Sequence, residues 1–547
     1  MVGHRNRVGS TRSTPPGTRA ALGAVMLFAA GLGTACGRLG AAQQESAAAA
    51  SAARLQRQSV AAQVALAPLP VGVPVIERPG ADADGYPRSY VDRVALRSLL
   101  GRGKYAELNA FIAQFQRDFE ADFHHEYFVS DAADAFESAD EELGAQLDEW
   151  VKATPDSFPP YLARGTHLLS RGYAGRGTKW ASETSANNFK AMADAFAPAF
   201  ADFERVLQIN PRVVAALRGE LKVAFPGREP GRDPKSIAER AFKLCPACFQ
   251  VRVVYQYALE PRWGGSYAAM AAAARAANLA LNPRFKLLPG FADRDRAQSA
   301  NSADDLEQAL TLIEGACALG DDVDFLLQKG QILVRRRQEV LAIAAFSRAL
   351  ELRPQRPDVL FARADANLRR VPPNPQAAYE DLLLGLRLEA TNSNARRTLP
   401  NVVGALLHAA TDAEALKDPK GALRYLDEAF DLAPSNDLDG RRARVLTMGF
   451  QGNATELATL KQRADSAPHD FYAHQQLDYA LSTFQRWDEI VAMWTAFIAQ
   501  NPQEGHAYFE RCGTYSHMPG MRSAAKADSV RACELGVSPA CVLAKRL

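Results

Sequence analysis

The sequence lacks any stretch of alternating apolar and polar residues long enough to read as a strand. No strand pattern therefore competes with a helical reading. It also lacks net charge: 64 basic residues stand against 62 acidic ones, for +2. Four of the basic residues, Arg5, Arg7, Arg12 and Arg19, fall in the first 35 positions, which hold no acid, leaving 60 basic against 62 acidic beyond them. A body this close to neutral is not a general nucleic-acid binder, which needs a concentrated basic face. Catalytic patterns are missing as well. There is no Gly-x-Ser-x-Gly, and no Ser/His/Asp or paired-carboxylate constellation stands out. The single CxxC, Cys245-Pro246-Ala247-Cys248, has no second CxxC or nearby histidine pair to complete a tetrahedral zinc set. No metal or other cofactor is implied, and an enzymatic role is not expected.

What is present begins with a targeting pattern. A polar, arginine-bearing stretch precedes an uncharged apolar run, Ala20–Ala35, and small residues follow. That is the layout of a secretory signal peptide, assigned to residues 1–35. The run is 16 residues long, short of the roughly 20 that span a bilayer. Leu32-Gly33-Thr34-Ala35-Cys36 resembles a bacterial lipobox, with Gly33 where leucine is usual. The resemblance implies lipidation of Cys36, in an exported protein that is periplasmic or outer-membrane-attached. Cleavage by an ordinary signal peptidase is the alternative. The membrane would then be met only through the N-terminal lipid anchor. Residues 36–88 read as a disordered linker, first Ala/Gln/Ser-rich, then marked by Pro68, Pro70, Pro74, Pro79 and Pro87.

The remainder is punctuated by helix stops. Pro211, Pro246, Pro283, Gly320, Pro354, Ala390, Pro434, Pro468, Pro502 and Gly536 each follow an amphipathic run, at intervals of 35, 37, 37, 34, 36, 44, 34, 34 and 34 residues. The 44-residue unit predicts an extra polar loop near Thr411–Lys420. The 56-residue gap from Pro155 to Pro211 predicts an insertion near Ser170–Asn188. Within 323–356, Gly330, Leu333, Ala342, Phe346, Ala349 and Pro354 sit where tetratricopeptide (TPR) repeats carry small, apolar and proline residues, so the segment resembles a TPR. The fold class expected is all-α, an α-solenoid of helix-turn-helix, TPR-like repeats, with a repeat domain over 291–547. Helical runs at Asp92–Leu100, Tyr105–Asp122, Ala133–Lys152 and Asn188–Ile209 place a less regular α-helical domain over 89–290. Its Gly103-Lys104-Tyr105, Leu147-Asp148-Glu149-Trp150-Val151, Pro261-Arg262-Trp263-Gly264-Gly265-Ser266 and Pro289-Gly290 resemble a bacterial domain of unknown function that precedes TPRs. That resemblance implies no activity.

Cys533 and Cys541 flank a turn signal, Gly536 and Pro539, between helical segments, which suits a disulfide. Arg531–Gly536 also resembles the cysteine-linked hairpins of Sel1-like repeats. Cys245 and Cys248 fall at a repeat-end proline, which favours a structural disulfide over free thiols or a redox pair. Cys317 and Cys512 are expected buried. His124-His125-Glu126 lacks the spacing of a metal-binding helix. The Arg171–Trp180 stretch reads as a tight inter-helix turn. In an alternative reading it is the contact loop of an enzyme or small-ligand module. Arg335-Arg336-Arg337 ends a first helix, where cations favour the dipole.

In TPR arrays the first helices line a concave groove that takes peptides or proteins. By helical offset, the resemblance places Gln331, Val334, Arg335, Asp365, Arg369, Tyr472, Gln475 and Tyr479 on that face. Mixed charges and aromatics suit a protein or peptide partner.

Overall fold

The computed structural model describes residues 74–177, 183–227, 232–389, 392–446 and 453–547. Residues 1–35, Cys36 and most of the expected linker lie outside them. The described chain is an all-α solenoid of helix-turn-helix, TPR-like repeats. Its only strands among the described residues are the two-residue pair Val75–Ile76 and Tyr90–Val91, antiparallel.

From Gly290 on, antiparallel pairs follow one another: Gly290–Ser302 with Leu306–Cys317, Val323–Arg335 with Glu339–Leu352, Pro357–Arg369 with Pro375–Leu388, and Ser393–Ala415 with Pro419–Leu432. Phe471–Thr483 with Trp487–Gln500 and Gly505–Tyr515 with Arg522–Glu534 continue the series; before them Asn436–Leu446 packs on Pro419–Leu432 and Ala454–Ser466 on Phe471–Thr483, and Ser538–Arg546 closes the end. Local chemistry sets the ends. Asp322, Asn374, Asp418, Asn453, Asp470 and Glu504 accept from backbone N–H groups at helix starts. Small residues let the pairs close. A Cβ on Gly330 would stand 2.3 Å from the Phe346 ring, and one on Gly385 2.5 Å from Phe361.

Several expectations change. Extra residues lengthen helices instead of forming loops. Thr411–Ala415 is the last turn of the 23-residue helix Ser393–Ala415. The insertion expected near Ser170–Asn188 is largely absorbed by Phe158–Arg176 and Ala186–Ile209, of 19 and 24 residues. The single run Ala133–Lys152 splits into Glu126–Asp134 and Glu141–Ala153, the second capped by Asp140. Pro283 does not stop a long helix; it opens the short turn Pro283–Leu287. Nor does the core divide at residue 290. Phe291 lies 4.8 Å from Phe325 and 5.6 Å from Tyr257, ring to ring, so one cluster crosses the expected boundary.

The linker also ends earlier than Arg88. Tyr86 is 2 % exposed, and its hydroxyl donates to Glu126 Oε1 at 2.7 Å and accepts from Asn282 Nδ2 at 2.7 Å. Arg284 stacks on the Tyr86 ring at 3.6 Å and pairs with Asp82. The other two donors on Glu126 are the backbone N–H groups of Phe249 and Gln250, at 3.0 and 3.1 Å. One buried carboxylate therefore ties residues 82–86 to the start of the helix Gln250–Ala258.

The helix Arg93–Gly101, capped by Asp92, is buried along nearly its whole length. Arg93 donates from its backbone N–H to Gln355 Oε1 at 2.7 Å and from Nη1 to Gln355 O at 3.1 Å. Its Nη2 also pairs with Asp131 at 3.3 Å and Asp134 at 3.5 Å, while Arg218 meets both Asp134 oxygens at 2.7 Å. Arg102 reaches Glu534 at 3.4 Å. The amino-terminal helices thus lie along the inter-repeat turns of the later array and clasp it.

Two disulfides are present. Cys245–Cys248 has an S–S distance of 2.08 Å and Cys533–Cys541 one of 2.07 Å. Cys512 is buried, but Cys317 is only half-buried, and burial pushes its thiol up to about 11. The terminal disulfide joins the last pair to its capping helix. On the loop-entropy argument, Cys533→Ser with Cys541→Ser should cost about 2.5 kcal/mol. Urea titration checks this, and a loss under about 0.5 kcal/mol would rule it out.

Candidate partner-binding groove

The first-helix residues expected on one concave face fall into two groups. Gln331 and Arg335 are exposed on Val323–Arg335. Arg335 spends its charge on the preceding turn, pairing with Asp304 at 2.6 Å. Asp365 and Arg369 pair with each other at 2.7 Å, one helical turn apart. These four lie on neighbouring repeats.

Tyr472, Gln475 and Tyr479 sit one turn apart on Phe471–Thr483; the two tyrosines are half-buried and Gln475 is buried. Tyr472 packs against the core around Phe430, and Arg463 stands 5.9 Å over its ring. Tyr479 is half-buried, and burial raises its hydroxyl above the ordinary range. Gln475 departs from the expectation of an open groove residue: it is 3 % exposed. Its Nε2 donates to Glu510 Oε1 at 3.2 Å, while its Oε1 has no donor. The cause is the first helix of the next repeat, Gly505–Tyr515, which carries Glu510. The helix Gly505–Tyr515 comes back against Pro419–Leu432, so Phe509 shares the core of that earlier repeat.

Sequence reasoning missed the polar groups gathered around these helices. Asp431 on Pro419–Leu432 accepts from Tyr379 at 3.1 Å and meets His506 Nε2 at 3.2 Å, joining helices 52 and 75 residues away in sequence. Arg442 pairs with Asp427 at 2.6 Å and Glu510 at 3.5 Å. Trp494 Nε1 donates to Asp478 at 2.5 Å. Glu428 is 7 % exposed and its Oε2 has no partner. The one signal in sequence is the acidic set Asp427, Glu428 and Asp431 near the end of the amphipathic helix Pro419–Leu432.

Desolvation is the main electrostatic effect here. Burial pushes Glu428 up to about 7 and, with Glu510 adding its charge, Asp478 up to about 8. Glu220, Glu260 and Glu389 are pushed by burial up to about 7. Burial works against charge on His506, but Asp431, Glu504 and Asp427 hold its imidazole well above the usual range. Every one of these groups keeps a proton in the folded chain at a pH where the unfolded chain has released it, so stability falls as pH rises from about 4, the ordinary carboxyl range, to about 8. Two groups act oppositely. Burial holds His167 down to about 4, and Asp134 is held low against its burial by Arg218, Lys222 and Arg93. Their contributions are lost as pH falls. The thermal midpoint should be highest at about pH 4 and drop steadily to about pH 8.5. Glu428→Gln with Asp478→Asn should flatten the alkaline slope. A midpoint that climbs steadily across that range contradicts the assignment.

The remaining candidates are placed as follows. Arg171–Arg176 is helical, the end of Phe158–Arg176, so no loop begins before Gly177, and 178–180 lie outside the described residues. Arg176 stands 5.6 Å over Trp263, which itself packs on Phe225 at 5.3 Å. His124 and His125 form a short turn in which His124 Nδ1 meets Asp122 at 2.6 Å. Among the described residues no His/Cys/Asp/Glu group is arranged to hold a metal ion, and no helix is long and apolar enough to cross a membrane.

Residues 92–231 match the model of a domain of unknown function, DUF4034. The match is narrower than the 89–290 expected and carries no activity. No curated protein sequence matches the chain. Among solved structures, the P58(IPK) TPR domain is similar at 13% identity, with 74% of this chain and 94% of that chain covered and a TM-score of 0.22. The human IFIT1 dimer with PPP-AAAA is similar at 13% identity, 82% and 94% coverage, and a TM-score of 0.23. Naa15/Naa10 bound to HypK-THB gives 12% identity, 80% and 63% coverage, and a TM-score of 0.27. At such TM-scores no ligand or activity passes from these proteins to this chain.

Proposed function

We propose that the chain is a non-enzymatic α-solenoid scaffold, exported and lipid-anchored through Cys36, that holds protein partners in a bacterial cell envelope. The observation that carries the scaffold reading is the helix Phe471–Thr483, on which half-buried Tyr472 and Tyr479 flank Gln475, whose amide donates to Glu510. Half-buried aromatics next to directional polar groups are what protein-recognition surfaces use. Export is supported by the apolar run Ala20–Ala35 and by two disulfides, which persist in oxidising compartments.

Crosslinking in envelope fractions, followed by mass spectrometry, tests the scaffold reading. Arg335→Glu with Tyr479→Ala should remove specific partners from the crosslinked set. An unchanged set would sink the groove assignment. Globomycin-sensitive processing tests Cys36: accumulation of an unprocessed form is the expected result, and indifference to the drug removes the lipid anchor.

A further inference from the structure

A closed ring of hydrogen bonds joins Tyr86 to the Cys245–Cys248 turn. The Tyr86 hydroxyl accepts from Asn282 Nδ2 at 2.7 Å, and the same nitrogen donates to the Ala247 carbonyl at 2.7 Å. The hydroxyl also donates to Glu126 Oε1, which accepts from the Phe249 N–H at 3.0 Å, while Glu126 Oε2 accepts from the Gln250 N–H at 3.1 Å. Ala247 lies inside the four-residue loop that the disulfide closes, and Phe249 and Gln250 follow it directly. Both partners of the Tyr86 hydroxyl therefore rest on backbone that the disulfide positions. Other closure of this turn is weak. Pro246 has no N–H to give, the backbone bond from the Cys248 N–H to Cys245 O is 3.3 Å long, and Arg252 reaches the Pro246 carbonyl from an exposed position.

The segment on the far side of the ring is bonded mainly to itself. Backbone N–H groups of Asp82, Arg88 and Asp92 donate to the carbonyls of Tyr86, Gly80 and Pro74. Apart from Tyr86, its acids Asp82 and Asp84 hold the body through Arg284, two residues after Asn282.

We propose that the Cys245–Cys248 disulfide is a redox-sensitive clasp: closed, it docks residues 74–92 on the body, and opened by a dithiol it releases them. The clasp depends on neither the scaffold nor the lipid anchor. Attack falls on Cys245, which keeps 7 % exposure between exposed Leu244 and Pro246, and not on fully buried Cys248. One thiolate of the dithiol bonds to Cys245 Sγ, the Sγ–Sγ bond breaks, and Cys248 leaves as a thiolate that takes up a proton. The second thiol of the reductant then displaces Cys245, which also ends as a thiol. The dithiol has become a disulfide, and its two electrons and two protons now sit on the cysteines.

The test is hydrogen–deuterium exchange of the full chain, read by mass spectrometry, with Cys533→Ser and Cys541→Ser so that Cys245–Cys248 is the disulfide under study. Dithiothreitol should open it without denaturant, shown by two further alkylated cysteines. Residues 74–92 should then exchange about tenfold faster, while Val323–Arg335 and Glu339–Leu352 keep their rates. Cys245→Ser with Cys248→Ser should exchange fast in 74–92 without reductant. Tyr86→Phe keeps the ring but removes the hydroxyl, so 74–92 should exchange fast in both redox states and lose the response. Unchanged exchange in 74–92 after opening overturns the proposal. So does a rise spread equally over the repeats, a full redox response in Tyr86→Phe, or a disulfide that opens only once the chain is unfolded.

Discussion

Glu126→Ala should cost on the order of 4 kcal/mol of folding stability, because it strands three buried donors at once and each stranded donor costs about 1–3 kcal/mol. The donors are the Tyr86 hydroxyl and the backbone N–H groups of Phe249 and Gln250. Burial pushes the Glu126 carboxyl above its ordinary range, and the donors and Arg284 pull it back. The loss should also be local. Residues 74–92 are held to the body largely through Tyr86 and Arg284, so limited proteolysis should cut that segment in the variant before the repeats unfold. Glu126→Gln retains an acceptor but sets an amide donor against one backbone N–H, and should cost less, about 1–2 kcal/mol. Urea titrations of both variants check the order. Equal losses, or an uncut segment in the alanine variant, would show that the lock lies elsewhere.

Gly330→Ala and Gly404→Ala should move stability in opposite directions. Both glycines lie inside helices, where alanine is ordinarily favoured by about 1 kcal/mol. A Cβ at Gly404 meets nothing within 4 Å, and the ordinary gain is expected. At Gly330 the Cβ would fall 2.3 Å from Phe346 Cε1, with the ring itself fully buried. Overpacking of that kind costs about 1–3 kcal/mol, which outweighs the helix preference. Gly330→Val should cost more. Adding Phe346→Leu to Gly330→Ala should recover part of the loss, since the leucine withdraws from the space the methyl needs. Thermal midpoints decide it: a stabilised Gly330→Ala would mean that the two helices do not pack as closely as this.

The repeat architecture was legible because its signals are local. A proline or glycine stop every 34 to 37 residues, with a small residue such as Gly330 facing Phe346, reports one helix pair without reference to any other. The same locality explains the misreadings. A 44-residue unit looks like a repeat with an added loop, but Ser393–Ala415 simply runs on for 23 residues, since no breaker in Thr411–Ala415 stops it. The proline-rich lead-in looked unstructured because nothing near it in sequence shows that Glu126 and Asn282 are waiting for Tyr86. The groove was only partly legible. Helical offset placed Tyr472, Gln475 and Tyr479 on one face, yet whether that face is open depends on how far the array bends.

By itself, then, the sequence determined the helix pairs, their period, the caps and the cysteine hairpin at the end, all through contacts made within one or two turns of chain. Only the tertiary structure decided that the helix Arg93–Gly101 reaches Gln355, that His506 meets Asp431, and that Gln475 is shut in against Glu510. The reason is geometric. Gln475 and Glu510 meet across one repeat interface, whereas Asp431 and His506 meet because a small rotation between adjacent pairs accumulates over more than one repeat.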